Sequence, residues 1–283
     1  MSISPIRSPL VTFTGSTPSI GTTTAALAAA WRIAERSSLP VAYLCLNLKS
    51  SKLHRYLRVD KPAITLDSLR PELKAGLLTP EKLRQAVFRP AAAPNLNILF
   101  GSMMRDQAEF FSPEEIRHLL ETARTVFGLI VADVNAYWDN AATVTALLEA
   151  DSRILVTTTA LSHFQEDTRR WLGQSSPLFG IPSEAYETVV VRPPWRNGGY
   201  TMKDIEKESG LAAIGELKLA EPFYAHLDSG SMEEWLGRHE QGKRAMQETA
   251  DKLMNRHSVR LGSHIKRQPW YRKLLDHRNG VGS

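Results

Sequence analysis

Short apolar runs recur along the chain up to residue 192, and longer amphipathic stretches separate them. Each run is almost continuously apolar instead of alternating with polar residues, which is typical of strands covered on both faces. The runs are residues 9–13, 41–48, 96–101, 127–134, 153–159 and 186–192. The pattern therefore predicts a series of buried strands.

Helical patterns occupy the intervals between these runs. The predicted helices are residues 22–36, 79–88, 112–125, 140–150 and 162–172. Ser112 and Glu115 carry the signature of a capping box, Thr79 begins its helix in a similar way, and Asp139 is the predicted N-cap of the helix that follows it. The alternation predicts an α/β fold with a doubly wound, mostly parallel sheet flanked by helices.

The pattern changes after residue 192, where strand-like runs become sparse. A single helical pattern over residues 231–257 closes the body, and the residues beyond it are basic and aromatic. We therefore predict one α/β domain over residues 1–257 and a C-terminal tail over residues 258–283.

The composition is typical of a globular protein, with 42% hydrophobic and 23% charged residues among 283. No apolar run approaches the roughly 20 residues that span a bilayer, and the amino terminus lacks the apolar core of a signal peptide. Cys45 is the only cysteine, which excludes an internal disulfide. These features predict a cytoplasmic location.

Positive charge is concentrated in the tail of a chain whose formal net charge is +5. A helix after Pro269 would place apolar residues on one face with basic residues around them. The predicted docking residues are Trp270, Tyr271, Arg272, Lys273 and Leu274. Their target could be a protein partner or an anionic membrane surface, which would make the protein peripheral to the inner face of the membrane. Nucleic acid is less favoured because no binding motif is present, and packing of the aromatic residues against the body is the remaining alternative.

A loop with the sequence "FTGSTPSIGTTTAAL" links the first predicted strand to the first predicted helix. Backbone amides in such a loop can hold phosphate, and a following Ser or Thr hydroxyl can hold Mg²⁺. The candidate nucleotide-binding residues are Gly15, Ser16, Thr17, Ser19, Gly21, Thr22, Thr23, Thr24 and Asp133, with Thr23 and Asp133 as the candidate Mg²⁺ ligands. Thr22 stands where such a loop has its lysine, so a tight turn without a ligand is the alternative.

The residues around this loop resemble the MinD/ParA group of P-loop ATPases, a SIMIBI-class group with a deviant Walker A loop. The segment "TGSTPSIGTTTAALAAAW" is similar to the first loop and helix of that group, and "FGLIVADV" is similar to its Walker B strand. The later segments "LLEADSRILVTTT" and "VVVRPPWRNGGYTMKDIEKESGL" are most similar to the CpaE/TadZ branch, which is associated with Tad-type pilus assembly. The resemblance covers residues 9–257 and implies the fold of that group.

The same resemblance indicates which functional groups this chain lacks. The two lysines of the family loop fall on Thr17 and Thr22, and the two strand-end aspartates fall on Cys45 and Asn47. The base-contacting asparagine falls on Val191. The matching positions are Gly21, Thr23, Thr24 and Asp133.

These replacements bear directly on catalysis. Phosphoryl transfer depends on positioning and on charge stabilisation, and one cationic group can contribute about 10³–10⁵ in rate. Without both lysines and the acid that positions water, a triphosphate would meet a site with no protein cation. The sequence therefore predicts a pseudo-ATPase without catalytic residues. No cofactor is expected, and weak binding of ATP or ADP with Mg²⁺ is the alternative.

The resemblance implies a positioning or scaffold subunit, with protein partners that belong to a Tad-type or type IV-type pilus or to a secretion machine. A homodimer is also expected, because members of the family dimerise. The alternatives are an active ParA/MinD-type ATPase with an unorthodox P-loop and a DNA-associated partitioning protein. His163, Glu166 and Asp167 are expected to lie on a solvated helix face and not in a metal site.

Overall fold

A parallel β-sheet forms the centre of the molecule. The computed structural model describes residues 7–49, 51–194 and 199–262. Within them, seven strands pair in the order β3-β2-β4-β1-β5-β6-β7, and every pairing is parallel. The strands are β1 (Leu10–Gly15), β2 (Val41–Cys45), β3 (Leu96–Leu99), β4 (Leu129–Asp133), β5 (Ser152–Thr158), β6 (Tyr186–Arg192) and β7 (Ala213–Lys218). The predicted doubly wound α/β fold is confirmed.

Helices cover both faces of this sheet. The α-helices of the described residues are α1 (Thr22–Ala34), α2 (Leu53–Tyr56), α3 (Arg70–Ala75), α4 (Pro80–Ala86), α5 (Pro113–Val126), α6 (Ala141–Leu148), α7 (Thr168–Arg170), α8 (Ser176–Leu178), α9 (Met202–Ser209), α10 (Glu221–Asp228), α11 (Met232–Arg238), α12 (Glu240–Arg244) and α13 (Gln247–Arg256). Helices α1, α11 and α13 share one hydrophobic core with the sheet, and α3 to α6 share the core on the other face.

The strands divide their side chains between these two cores. In β2, Tyr43 and Cys45 face the core of α1, whereas Ala42 and Leu44 face the opposite core. This follows from the two-residue period of a strand, and burial on both faces explains why the runs are continuously apolar. Asp133 is two residues beyond Val131, which belongs to the core of α1, so its side chain emerges on the same face.

The last third of the chain departs from the sequence prediction. Strand β7 was not predicted, because this edge strand is half exposed and contains Gly215 and Glu216 in place of a continuous apolar run. The single helix predicted over residues 231–257 is wrong. It is divided into α11, α12 and α13, and Met246 has a left-handed backbone with φ of 58° at the start of α13.

Two of the predicted helix starts are confirmed, and one is wrong. The Ser112 hydroxyl accepts a hydrogen bond from the Glu115 amide at 3.2 Å, and the Glu115 carboxylate accepts one from the Ser112 amide at 2.8 Å. Thr79 caps α4 through the amide of Lys82. Asp139 does not cap α6.

The residue that caps α6 is Asn140. Its side-chain oxygen accepts a hydrogen bond from the Thr143 amide at 3.0 Å. Asp139 lies one residue too early to reach that amide, and its carboxylate forms an ion pair with Lys49 instead.

The segment predicted as a helix over residues 162–172 continues to Leu178. It contains two π-helical turns, at Ser162–Asp167 and Trp171–Ser175, between the short helices α7 and α8.

The first residues of the predicted tail pair with the chain that follows α1. The Ser38 amide donates to the Arg260 carbonyl and the Gly262 amide donates to the Arg36 carbonyl, each at 2.8 Å. The predicted docking residues, Trp270, Tyr271, Arg272, Lys273 and Leu274, lie outside the described residues. In the part of the chain that the structure covers, no helix combines the length and apolarity needed to cross a bilayer.

Candidate functional site

A cavity of about 530 Å³ opens where the carboxyl ends of the central strands meet the start of α1. This is the position at which open parallel sheets bind their ligands. Seven of the predicted nucleotide-binding residues line it, namely Thr17, Ser19, Gly21, Thr22, Thr23, Thr24 and Asp133. Gly15, the last residue of β1, and Ser16, the residue after it, are not part of the lining.

The loop between β1 and α1 depends on glycine at two positions. Gly21 has a φ of 98°, in the left-handed region, where a side chain would be strained and would also lie 3.3 Å from a methyl group of Val191. Gly15 has an ordinary φ, but a Cβ atom there would lie 2.7 Å from the Thr22 hydroxyl and 2.8 Å from the Thr17 carbonyl. The loop therefore folds tightly back over the end of β1. The Thr22 hydroxyl occupies the space next to Gly15 that a side chain there would need.

The amino terminus of α1 faces the cavity with uncapped amides. Gly21 is the N-cap residue, and no side chain among the described residues provides a capping hydrogen bond there. The amides of the first helical turn and the helix dipole favour a negatively charged or strongly hydrogen-bonding group. This part of the predicted site keeps the capacity to hold an anion.

Asp133 joins three elements of the fold beneath this loop. Its Oδ2 atom accepts a hydrogen bond from the Thr23 hydroxyl and another from the Tyr43 hydroxyl, each at 2.8 Å. Its Oδ1 atom is buried and has no hydrogen-bond partner within the described residues. Burial raises the pKa of Asp133 to about 6, although both hydroxyl donors act to lower it. One oxygen of this acid is thus fully engaged in holding β4, α1 and β2 together.

The neighbouring hydroxyl and thiol are poor nucleophiles. Burial, and secondarily the carboxylate of Asp133, raises the pKa of the Cys45 thiol to about 12 and places the pKa of Tyr43 well above its usual range. The Cys45 sulfur lies 3.3 Å from the Ser51 hydroxyl. Both groups stay protonated at neutral pH, so this part of the site offers no thiolate chemistry.

A lysine that sequence reasoning missed lines the cavity. Lys52, at the start of α2, is exposed, and its ammonium group forms no ion pair with any residue that the structure describes. The expectation of a site without a protein cation is therefore wrong. The cation comes from the segment after β2 and not from the loop. The sequence could have predicted this cation, because Lys52 follows the carboxyl end of a strand by a few residues. The carboxyl ends of parallel strands lie at the same edge of the sheet, where the cavity opens.

Asn135 is a second residue that the sequence did not single out. It lines the cavity, is 5% exposed, and its side-chain nitrogen has no hydrogen-bond partner in the described part of the chain. Asn47 and Val191, which the resemblance placed at the site, also line the cavity.

Tyr43 is a further residue that the sequence could not distinguish from an ordinary core residue. Its ring is fully buried, and only its hydroxyl contacts a residue of the predicted site, Asp133.

His163, Glu166 and Asp167, which were expected on a solvated helix face, lie in the π-helical turn Ser162–Asp167, where Glu166 is exposed and the other two are half-buried. His163 lines the cavity, and its Nδ1 atom lies 2.8 Å from the Thr158 hydroxyl. Asp167 faces Arg170 at 3.8 Å. Across the described ranges, no group of three or more His, Cys, Asp or Glu side chains is arranged to hold a metal.

The donor set fits Mg²⁺ better than it fits a triphosphate. A carboxylate and a hydroxyl are ligands that Mg²⁺ accepts, and Asp133 and Thr23 would hold it. A bound Mg²⁺ would neutralise phosphate charge. The loop positions at which the resemblance implies lysine, however, hold the neutral Thr17 and Thr22, which cannot supply the positive charge that a triphosphate requires.

Comparison with known proteins identifies the fold. No protein-family model and no curated sequence matches the chain. Among solved structures, the ParA family ATPase from Chlorobium tepidum TLS is similar with a TM-score of 0.73 and 19% identity, covering 87% of this chain and 99% of that one. A chain of the MinC:MinD cell division protein complex from Aquifex aeolicus has a TM-score of 0.70 and 16% identity, covering 88% and 96%. A plasmid partition protein from Borrelia burgdorferi B31 bound to AMPPNP has a TM-score of 0.62 and 13% identity, covering 88% and 100%.

These similarities show that the chain has the P-loop fold of the MinD/ParA ATPases. At such low identity they show the fold alone, and what this chain's own site can do depends on the residues present in it.

Proposed function

We propose that this protein is a pseudo-ATPase: a MinD/ParA-like protein that does not hydrolyse ATP and that acts as a positioning or scaffold subunit. The observation that carries the proposal is the arrangement of Asp133. Its Oδ2 atom is occupied by hydrogen bonds from Thr23 and Tyr43, and neutral threonines stand where the loop lysines would be. The Oδ2 atom of this acid is therefore engaged in hydrogen bonds within the fold.

The machine proposed for this subunit is a Tad-type or type IV-type pilus, or a secretion apparatus. The proposal rests on the resemblance of the segments around β4 to β6 to the CpaE/TadZ branch. The partners would be protein subunits of that machine, and a second copy of the chain is a further proposed partner. The tail residues Trp270 to Leu274 are proposed to dock on such a partner or on an anionic membrane surface at its inner face.

Capture of partners from the native host tests this role. The tagged full chain is cross-linked in cells, and co-purified proteins are identified with and without enzymatic removal of ATP. We expect pilus or secretion subunits in equal amounts under both conditions. Partner capture that requires ATP, or capture of chromosomal and plasmid DNA in their place, would contradict the proposal. A chain truncated after Gly262 tests whether the tail contributes.

An active ATPase with an unorthodox site is the rival, and Lys52 is the observation that favours it. This lysine lines the cavity, and its ammonium group could contact a phosphate group there. If the rival were correct, Lys52→Gln would abolish Mg²⁺-dependent release of phosphate from ATP, whereas Lys61→Gln, a matched change at an exposed lysine outside the cavity lining, would not.

A further inference from the structure

Three large apolar side chains are exposed on the segment between β3 and α5. Met103 is 46% exposed, Met104 is 50% exposed and Phe110 is 63% exposed. Exposed apolar groups that lie together mark contact surfaces, and methionine adapts to partners of varied shape. Residues 103–114, which carry these side chains, are called loop 103–114 below.

One helical turn holds both ends of the apolar part of this loop. The carboxylate of Asp67 accepts a hydrogen bond from the Met103 amide, and the Arg70 guanidinium donates to the Phe110 carbonyl at 2.6 Å. Asp67 begins a 3₁₀ turn that leads directly into α3 at Arg70. The positive charge of Arg70 is shared with Glu115 at 3.9 Å. The loop thus leaves and returns beside the same turn, and its exposed apolar side chains share one corner of the molecule.

The same loop carries exposed negative charge. Asp106, Glu109 and Glu114 are exposed, and none of them forms an ion pair with a side chain that the structure describes. In the sequence from Met103 to Glu114, Arg105 is the one basic residue. A segment that complements this surface is therefore apolar and basic, because both kinds of contact have to be matched.

The residues that follow Gly262 have this complementary composition. Five basic residues stand against Asp276 alone, and aromatic and larger aliphatic residues lie among them. The basic residues are Lys266, Arg267, Arg272, Lys273 and Arg278, and the apolar ones include Ile265, Trp270, Tyr271, Leu274 and Leu275. This part of the tail therefore matches loop 103–114 in both charge and apolar character.

The tail leaves the body within reach of the loop. The Gly262 amide donates to the Arg36 carbonyl and the Asn95 side chain donates to the Ser37 carbonyl, so Gly262 lies near the amino end of β3. The loop follows the carboxyl end of the same strand, about six residues or roughly 20 Å farther along. The chain from Gly262 to Trp270 spans up to about 26 Å when it is extended. A segment tethered at this distance meets the loop at an effective concentration in the millimolar range.

We propose that residues 263–283 dock on loop 103–114 of the same chain. The aromatic and aliphatic residues of the tail cover the exposed methionines and Phe110, and its basic residues pair with the three exposed carboxylates of the loop. While it is docked, the tail is withheld from a partner or a membrane, so this contact controls when the tail acts. That consequence rests on the proposed function of the tail, whereas the contact itself does not.

Photo-cross-linking within the full chain tests the contact. p-Benzoylphenylalanine replaces Trp270, the products are separated by gel electrophoresis, and the cross-linked sites are mapped by mass spectrometry. We expect cross-links to loop 103–114 within one chain. Their yield should fall about tenfold in Phe110→Ser, and independently in the double variant Asp106→Lys and Glu109→Lys, because each change removes one of the two kinds of contact.

Two variants elsewhere on the surface are the matched controls. Leu178→Ser changes an apolar side chain that is 68% exposed, and Glu184→Lys reverses an exposed carboxylate. Both residues lie on the connection from β5 to β6, and β6 is separated from β3 by four strands. The cross-link yield in these controls should equal that of the unsubstituted body, and the unfolding temperatures of all variants are measured beside it.

Carbodiimide coupling of the unsubstituted chain is a second measurement, because it joins a lysine amine to a carboxylate only where the two are in contact. Lys266 or Lys273 should be joined to an acid of loop 103–114. Salt at about 1 M, which shortens the screening length to about 3 Å, should suppress this product.

Cross-links that form only between two chains, that form only on other surfaces of the body, or that persist unchanged in both loop variants would overturn the inference. Release of phosphate from ATP is measured on the same samples. Turnover of ATP would refute the proposed function, whereas loss of the cross-links to the loop refutes only this inference.

Discussion

The hydroxyl of Tyr43 donates a 2.8 Å hydrogen bond to Oδ2 of Asp133, at the fully buried junction of β2 and β4. Thr23 donates to the same oxygen from the start of α1. The strand-end acid that the resemblance associates with Mg²⁺ is thus part of a hydrogen-bonded junction of three elements. The Oδ2 atom therefore links β2, β4 and α1 through hydrogen bonds.

Tyr43→Phe is expected to destabilise the protein by about 1.5–3 kcal/mol. The change removes one of two donors to a buried carboxylate, and hydrogen bonds to charged groups contribute in this range. The pKa of Asp133 should rise further, because this hydrogen bond lowers it. Urea unfolding gives the free energy, with Tyr137→Phe at an exposed ring as the control. Equal stability of wild type and Tyr43→Phe would mean that the junction is unimportant.

Asp133→Asn is expected to stabilise the protein at neutral pH and not in acid. The pKa of Asp133 lies at about 6 in the folded protein, against 3.8 for the free group, so the folded state binds more protons than the unfolded chain between these values. The stability that the protonated carboxyl contributes is present below about pH 4 and is lost as the pH rises through 6. A shift of roughly two pKa units corresponds to about 3 kcal/mol.

The measurement is the free energy of unfolding of wild type and Asp133→Asn from pH 3.5 to 8. The asparagine oxygen can still accept from Thr23 and Tyr43, so both hydrogen bonds remain. We expect the free energy of unfolding of Asp133→Asn to exceed that of wild type by an amount that grows with pH and levels off above pH 6. A difference that does not depend on pH would show that Asp133 is not a costly buried acid.

Asn140→Ala is expected to cost about 1 kcal/mol, because it removes the N-cap of α6. Asp139→Ala should change the free energy of unfolding by less than about 0.5 kcal/mol, since its ion pair with Lys49 is at the surface. Thermal or urea unfolding of the two variants side by side checks this. A larger loss of stability in Asp139→Ala than in Asn140→Ala would show that Asp139 is the cap.

Gly21→Ala is expected to destabilise the protein by about 1–2 kcal/mol or more. The backbone there is left-handed, and the new methyl group would lie 3.3 Å from Val191. Gly76→Ala is the matched control, because its φ is also left-handed, at 66°, but nothing lies within 4 Å of the added atom. Unfolding experiments on both variants isolate the cost of crowding at the loop. Equal losses would show that the loop can relax away from Val191.

The strands inside the sheet could be predicted from the sequence, because burial on both faces requires continuous apolar runs. The runs that became β1 to β6 are continuously apolar, and the capping box at Ser112 has a fixed spacing. Strand β7 lacks that signal because it lies at the sheet edge, with Glu216 and Lys218 partly or fully exposed. The division of the last helical stretch into α11, α12 and α13 depends on tertiary packing, which overrides helical periodicity.

The part of the candidate site that lies in one continuous segment could be predicted from the sequence. The part formed by residues distant in sequence could not. The loop from Thr17 to Thr24 is contiguous in sequence, and its position after a strand identifies it. Lys52 and Asn135 enter the same cavity from the ends of two other strands. Their roles depend on which strands are neighbours in the sheet, and that order is not encoded in any short motif.

The most direct test of the central claim is release of phosphate from γ-labelled ATP with Mg²⁺ by the purified full chain. Wild type and Asp133→Ala are assayed beside a buffer blank, under single-turnover and steady-state conditions. We predict that neither protein exceeds the blank. Mg²⁺-dependent release by wild type that disappears in Asp133→Ala would show that the site is a working ATPase and would contradict the account.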